Sequence, residues 1–223
     1  MPRASRARRG PRRVVFEAAS ALSGPIQVVD EGDLRRLVVG GDTLSIVSLS
    51  GDWSRLEREY WSRALDAVDL PPRPSALFLW AGGGTQPLLL HARARPRWVT
   101  VVERDPVILD VARRYFGLAR LERAEFLCGE VEEVLPCLLS SGRRFDFIMD
   151  DATYAEAAER VVSVALRLGR VLGRRGVLVL NRHARHQAAR IAAALRRGFA
   201  GVSMRRVRCD AGNVLIWATD PRR

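Results

Sequence analysis

Acidic residues and glycines follow the apolar runs of this chain in a regular order. The run from Ala76 to Trp80 leads into three consecutive glycines, and the run from Trp98 to Val102 leads into Glu103. Glycines let a backbone approach a ligand closely, and an acid roughly 20 residues later can accept hydrogen bonds from both ribose hydroxyls. The spacing therefore predicts a nucleoside site that contains Gly82, Gly83, Gly84 and Glu103.

Two further apolar runs end on carboxylates, one at Glu130 and one at Asp150 and Asp151. We expect Glu130, with Val131 beside it, to accept a hydrogen bond from the adenine amino group. The alternative is an acid that only stabilises the start of a helix. Asp151 or Asp150 would face the reacting end of the ligand, where a carboxylate can hold an amine and take its proton. The alternative for either residue is a cap on the following helix.

These strand ends would bring carboxylates to one rim of a sheet. Such a rim repels the phosphates of a nucleotide and attracts a phosphate-free nucleoside that carries a positive sulfonium. We therefore expect an S-adenosylmethionine-type cofactor in preference to NAD or ATP. The glycine turn agrees, because Pro87 stands where the dinucleotide fingerprint has its third glycine. Arg104, next to Glu103, is included in the predicted cofactor site.

The elements that position these residues alternate between strand and helix. Predicted strands at 76–80, 98–102, 125–128, 145–149 and 176–180 are separated by helical segments, such as the one capped by Asp105 and begun by Pro106. This alternation predicts an α/β fold with a Rossmann-like, doubly wound, mostly parallel sheet. Ligands of such sheets bind at the carboxyl ends of the strands. An antiparallel hairpin from 202–209 and 214–219 would complete the sheet.

The chain before this sheet has a different pattern. Runs rich in β-branched residues at 26–29, 34–39 and 43–49, separated by turn residues, predict a small antiparallel hairpin unit, and 54–68 predicts a helix. Pro71 to Pro74 ends that helix. We therefore divide the chain into a basic flexible arm (1–22), a β-unit with its connecting helix (23–70) and a nucleoside-binding domain (75–223).

Composition narrows the class of protein. The chain has 223 residues, of which 48% are hydrophobic, and its net charge is +12. All 37 of its basic residues, counted without histidine, are arginine. The arginine-rich arm is expected to be solvated, with nucleic acid or an acidic surface as the less favoured partner. Three cysteines without a CxxC motif indicate a reducing, cytoplasmic setting. His183 and His186 lack a third ligand nearby, so we expect no metal, and no apolar run is long enough for a membrane span.

Four segments carry a resemblance to a known family. LFLWAGGGTQ, VVERDPVILDVARRYF, FLCGEVEEVL and FDFIMDDATY resemble, in order and spacing, the core motifs of spermidine synthases. SGPIQVVDEGDLRRLVVGG and EYWSRAL look like the small N-terminal β-domain of that family and its connecting helix. The resemblance covers roughly residues 23 to 219.

This resemblance implies a class I methyltransferase-like domain, a homodimer, decarboxylated S-adenosylmethionine as cofactor and aminopropyl transfer to a polyamine. It also implies that Glu103 binds ribose, that Glu130 stands where an Asp meets adenine, and that Asp151 stands where the catalytic Asp activates the amine.

The chain also departs from the family pattern. Thr85 stands where the family's glycine loop has an acid, Ala152 and Thr153 follow Asp151 where a second acid is expected, and Trp61 replaces the His of a Tyr-His pair. Three hypotheses therefore remain. The first is an aminopropyl transferase of the spermidine synthase group in polyamine biosynthesis, the second is a methyltransferase that uses ordinary S-adenosylmethionine, and the third is a non-catalytic binding protein with the same fold.

Overall fold

Two β-sheets and six α-helices make up the described part of the chain. The computed structural model describes residues 10–66, 68–152, 156–182, 185–207 and 212–222, so Thr153, His183 and Cys209 lie outside it. The elements, in chain order, are β1 (Arg12–Ser20), β2 (Gly24–Glu31), β3 (Leu34–Val39), β4 (Asp42–Ser48), α1 (Tyr60–Asp66), β5 (Ser75–Leu79), α2 (Thr85–Ala94), β6 (Trp98–Glu103), α3 (Pro106–Tyr115), β7 (Ala124–Cys128), α4 (Val131–Ser140), β8 (Phe145–Asp150), α5 (Ala158–Leu168), β9 (Leu172–Arg182), α6 (Arg185–Leu195), β10 (Phe199–Arg206) and β11 (Val214–Pro221).

The first sheet is antiparallel, with the strand order β1-β2-β3-β4. Its β1 lies in the segment that we assigned to a flexible arm, so residues 12–20 are a correction to that expectation. β1 pairs with β2 along its length, from Arg12 opposite Glu31 to Ser20 opposite Gly24. Phe16 packs with the buried cluster that this sheet shares with α3. The division into domains otherwise remains a prediction.

The second sheet has seven strands in the order β10-β11-β9-β8-β5-β6-β7. β5 to β9 are parallel, and β11 runs antiparallel between β9 and β10. One buried cluster packs α4, α5 and α6 on one face, and another packs α1 and α2 on the other. The predicted α/β fold class, with its hairpin unit before the sheet and antiparallel hairpin at the end, is confirmed.

The order of the strands fixes where a ligand can bind. The chain passes from β5 to β6 and β7 in one direction and then returns to place β8 on the other side of β5. Open α/β sheets bind ligands at such a reversal, outside the carboxyl ends of the strands. Asp105 caps α3 as predicted, since its side chain accepts a hydrogen bond from the N–H of Val107 at 2.9 Å.

The connection between the two sheets is less helical than the sequence suggests. Instead of one helix over 54–68, a short 3-10 turn at Ser54–Leu56 precedes the seven-residue α1. Trp61, Ala64 and Leu65 of α1 are buried against the main sheet. In the ranges given above, each helix is too short or too polar to cross a bilayer.

Candidate functional site

A cavity of about 550 Å³ lies at the carboxyl edge of the main sheet, between the glycine loop, α1 and the N-terminal sheet. Glu103 and Arg104 line it from the end of β6, Asp151 lines it from the end of β8, and Gly82 lines it from the loop after β5. β6 and β8 flank β5, so their ends are about 10 Å apart. The sheet therefore brings these predicted residues to one cavity.

Glu103 is 2% exposed, although one side of it borders the cavity. Its carboxylate accepts the N–H of Asp105 at 3.0 Å and further hydrogen bonds from the N–H groups of Gly82 and Arg104. Burial raises the pKa of Glu103 to about 7, and the hydrogen bonds lower it only in part. On the side that borders the cavity, the Glu103 carboxylate can accept hydrogen bonds from the hydroxyl groups of a ribose.

The three glycines have different roles in the structure. Gly82 borders the cavity, whereas Gly83 and Gly84 line neither this cavity nor the smaller one described below. A Cβ at Gly83 would lie 2.8 Å from the Cβ of Ser45, and one at Gly84 would lie 2.6 Å from the Leu118 side chain. Gly84 also has a φ of 87°. The structure thus places Gly83 and Gly84 in contact with the protein itself rather than with the predicted ligand site.

Thr85, which stands where spermidine synthases carry an acid, is bound to the N-terminal sheet. Its side chain is fully buried, and Oγ1 donates to the carbonyl of Ile46 at 3.0 Å and accepts the Ile46 N–H at 2.9 Å. Ser45 Oγ likewise accepts the Gly83 N–H at 2.8 Å. The residue that replaces the family's acid therefore binds β4 and does not line the cavity.

Asp151 stands at the centre of a chain of polar side chains. The Tyr60 hydroxyl donates to Asp151 Oδ2 at 2.6 Å, and the Asn181 amide donates to Asp151 Oδ1 at 2.8 Å. Asn213 in turn donates to Asn181 Oδ1 at 2.8 Å. Burial raises the pKa of Asp151 above its usual value, and the bonds from Tyr60 and Asn181 lower it in part.

Asp150 points to the opposite side of the strand end. It is fully buried and does not line the cavity. Its charge partly offsets the burial that lowers the pKa of the fully buried Arg182. Adjacent residues of an extended strand face opposite sides, so of the two acids predicted for the reacting end only Asp151 lines the cavity. Neither acid caps α5, whose N-cap is Ala157.

Glu130 and Val131 line a second cavity of about 20 Å³, which is too small for a nucleobase. Leu79, Trp80 and Arg104 line both cavities. The Arg104 guanidinium lies over the Trp80 ring, 4.6 Å from its centroid, and pairs with Glu130 at 3.3 Å. Glu130 is thus engaged by an arginine at the place where the sequence predicts adenine.

No protein-family model matches the sequence. A curated relative, the eEF1A lysine and N-terminal methyltransferase of Danio rerio, is 31% identical over 137 residues, which are 56% of this chain and 20% of that protein. The chain therefore spans about a fifth of that relative's length.

Two solved structures have the same fold. Human methyltransferase-like protein 13 in complex with SAH has a TM-score of 0.61 at 22% identity, covering 73% of this chain and 81% of that one. A probable spermidine synthase from Corynebacterium glutamicum has a TM-score of 0.74 at 17% identity, covering 93% and 81%. The chain has a class I methyltransferase-like fold. At these identities the likeness shows the fold alone.

Several residues of the site could not be assigned from the sequence. Tyr60 and Asn181 bind Asp151 directly, and Asn213 binds Asn181. Trp80 and Arg36 also line the large cavity. Only Tyr60 carried a signal, because it belongs to the Tyr-Trp pair that stands where the family has Tyr-His. Among the described residues, no three His, Cys, Asp or Glu side chains are grouped so as to hold a metal ion.

Proposed function

We propose that the large cavity binds S-adenosylmethionine or its decarboxylated form, and that the protein transfers an alkyl group from the sulfonium to an amine. The supporting observation is that Glu103 and Asp151, one from each side of the glycine loop, border the same cavity. Glu103 would hold the ribose, and Asp151 would lie beside the reacting nitrogen. Asp42 and Glu59 also line the cavity and favour a cationic ligand.

The reaction needs one base and involves no oxidant or reductant. The amine nitrogen attacks the carbon bound to sulfur, and a C–N bond forms as the C–S bond breaks. The electron pair of the C–S bond stays on sulfur, which becomes a neutral thioether. The nitrogen must lose one proton, which the Asp151 carboxylate accepts. A raised pKa strengthens Asp151 as a base. Tyr60 and Asn181 fix the orientation of the carboxylate.

Methyl transfer is the donor chemistry that we favour. Thr85 is committed to Ile46, so the acid that would bind an aminopropyl ammonium in the resembled family has no counterpart in this loop. Arg36 and Arg104 line the cavity and would disfavour the additional positive charge of a decarboxylated donor. The curated relative from Danio rerio, 31% identical over 137 residues, is named as an eEF1A lysine and N-terminal methyltransferase.

Aminopropyl transfer in polyamine biosynthesis is the second candidate. The likeness to the probable spermidine synthase extends over 93% of this chain, and the range includes the N-terminal sheet. Asp42, from that sheet, and Glu59, from the connection, line the cavity and are suitable partners for the ammonium groups of a polyamine.

Nucleoside binding is tested first. The melting temperature is measured with S-adenosylmethionine, its decarboxylated form, methylthioadenosine and NAD, because a ligand that binds only the folded state stabilises it. We expect a shift with the first three ligands and none with NAD. Glu103→Ala should abolish the shift, whereas Glu122→Ala, at an exposed acid outside both cavities, should retain it. Absence of a shift with every nucleoside would refute the proposal.

Turnover then identifies the donor and the role of Asp151. Each sulfonium is incubated with putrescine, an N-acetyl-lysine amide and a peptide with a free N-terminus, and products are identified by mass spectrometry. A methylated amine supports the first candidate, and an aminopropyl adduct supports the second. Asp151→Asn should keep the nucleoside shift and lose product formation. Nucleoside binding without any product would leave the non-catalytic hypothesis in its place.

A further inference from the structure

The edge of the main sheet opposite the cavity carries exposed arginines at every one of its seven strands. Most of them lie in the turns before the parallel strands or in the turn where β10 begins and β11 ends, and Arg174 and Arg175 lie within the first residues of β9. We call this set the arginine edge: Arg73 beside β5, Arg95 and Arg97 beside β6, Arg120 and Arg123 beside β7, Arg143 and Arg144 beside β8, Arg174 and Arg175 beside β9, Arg196 and Arg197 beside β10, and Arg222 beside β11.

Few acids neutralise this edge. Arg97 pairs with Asp146 at 3.1 Å, and Arg143 pairs with Glu125. Within the described residues, Arg73, Arg95, Arg120, Arg123, Arg174 and Arg175 form no ion pair. At the cavity edge, by contrast, Arg104 pairs with Glu130. Positive charge is therefore concentrated on the face that the cavity does not use.

Backbone conformation gives a second, independent observation. Arg73, Arg95 and Arg123 have φ values of 53°, 44° and 55°, in the left-handed region that glycine and asparagine adopt more easily. Arg95 is the C-cap of α2 and donates its N–H to the His91 carbonyl, a position that glycine commonly fills. At three turns of this edge, an arginine thus adopts a backbone conformation that glycine or asparagine adopts more easily.

The arginines of β9 are displayed by a bulge. Leu172 pairs with Phe145 and Val177 pairs with Phe147, so residues 173–176 form an insertion relative to β8. A Cβ at Gly176 would lie 2.6 Å from the Phe145 carbonyl oxygen, which shows how closely the bulge approaches β8. Arg174 and Arg175, between Gly173 and Gly176, are exposed.

We propose that the arginine edge binds the phosphate backbone of a nucleic acid. Seven strands at about 4.8 Å spacing give a row about 29 Å long, which matches about eight phosphates at 3.4 Å intervals along one strand. Arginine forms bidentate hydrogen bonds with phosphate.

The surface chemistry favours nucleic acid over a protein partner or a membrane. The large apolar residues that are exposed in the described ranges are Val14, Leu22, Leu49 and Met204; of these only Met204 belongs to the main sheet, within β10. Arg175 borders one cavity of about 480 Å³ together with Val68, Val177 and Trp217. Elsewhere, among the residues that the structure describes, the arginine edge has no exposed large apolar residue that could form the centre of a protein interface or a membrane anchor. Binding here would leave the cavity at the opposite edge open.

The test compares two triple variants of the full chain. Arg73→Asn, Arg95→Asn and Arg123→Asn together remove three charges at positions where asparagine suits the backbone, so the melting temperature should not fall. The control, Arg55→Asn, Arg58→Asn and Arg206→Asn, removes three exposed arginines away from this edge. Both variants keep the arginine-rich residues 1–9. Affinity for a labelled DNA duplex and a labelled RNA strand of about 20 nucleotides is measured by anisotropy from about 50 to about 200 mM salt.

We expect the parent and the control to bind alike and the edge variant to bind at least tenfold more weakly at low salt. Each lost phosphate contact lowers the salt slope by about one, so the edge variant should lose about three. Equal affinities of the edge variant and the control would overturn the proposal, as would a parent that binds neither nucleic acid. Stronger binding to vesicles of phosphatidylserine than to both nucleic acids would also overturn it. The thermal stabilisation of the edge variant by a nucleoside is measured as well. If that stabilisation is retained, loss of nucleic-acid binding is distinct from a failure of the proposed reaction.

Discussion

Glu103 should make the stability of the protein depend on pH in a direction opposite to that of most acidic residues. Burial raises the pKa of its carboxyl from 4.5 to about 7, because hydrogen bonds from backbone N–H groups replace water only in part. The folded protein therefore binds this proton more tightly than the unfolded chain does. The stabilisation is complete below the unfolded pKa of 4.5 and is lost as the pH rises through the folded pKa of about 7.

Glu103→Gln removes this titration and keeps the volume of the protonated acid. With pKa values of 4.5 and about 7, ionisation of Glu103 lowers the free energy of unfolding of the parent by about 2.5 kcal/mol between about pH 5 and about pH 8. Urea unfolding of both proteins across this range should therefore show the variant gaining about 2.5 kcal/mol on the parent toward alkaline pH. Other titrating groups are common to both proteins and cancel. A stability difference that is constant with pH would refute the burial argument.

Three further predictions concern the parts that hold the site, and the first two use urea unfolding. Gly84→Ala should lower the free energy of unfolding by about 2 to 4 kcal/mol, because the new Cβ adds a close contact with Leu118 to the strain of a positive φ. Gly142→Ala, at φ 68° in open space, should lower it by only about 1 kcal/mol. Equal losses would contradict the packing role of Gly84. Thr85→Val leaves the N–H and carbonyl of Ile46 in β4 without their partner and should lower the free energy of unfolding by about 2 to 3 kcal/mol. Thr43→Val, at an exposed position of β4, should lower it by less than about 0.5 kcal/mol. Tyr60→Phe should raise the pKa of Asp151 further, because it removes a hydrogen bond that lowers this pKa; carboxyl carbon NMR measures the change, and an unmoved or lowered value would exclude the bond.

The strand ends could be predicted from the sequence because they depend on local pattern. Apolar runs, the Asp105-Pro106 helix start and the position of Glu103 all follow from residues within about one element of each other. β1 was missed for the opposite reason. Its first residues are arginines that continue the charged N-terminus, and its strand character depends on pairing with β2, which a pattern within residues 12–20 does not show.

The polar network around Asp151 could not be predicted, because its members are far apart in the chain. Tyr60 is 91 residues from Asp151, Asn181 is 30 residues from it, and Asn213 lies another 32 residues on. The pattern of adjacent acids also could not decide which of Asp150 and Asp151 faces the cavity. Strand alternation requires one to turn away, but only the positions of Arg182 and Tyr60 show which one it is.

The N-terminal sheet is part of the candidate site and not only an appendage to it. Ser45 and Thr85 join β4 to the glycine loop and the start of α2 through Gly83 and Ile46, and Asp42 and Leu44 line the cavity. The loop glycines are tightly packed for this reason as much as for ligand approach. A glycine motif of this kind therefore reports two requirements at once, contact with a neighbouring strand and access to a cavity. In this chain they fall on different glycines, with Gly82 at the cavity and Gly83 and Gly84 against the protein.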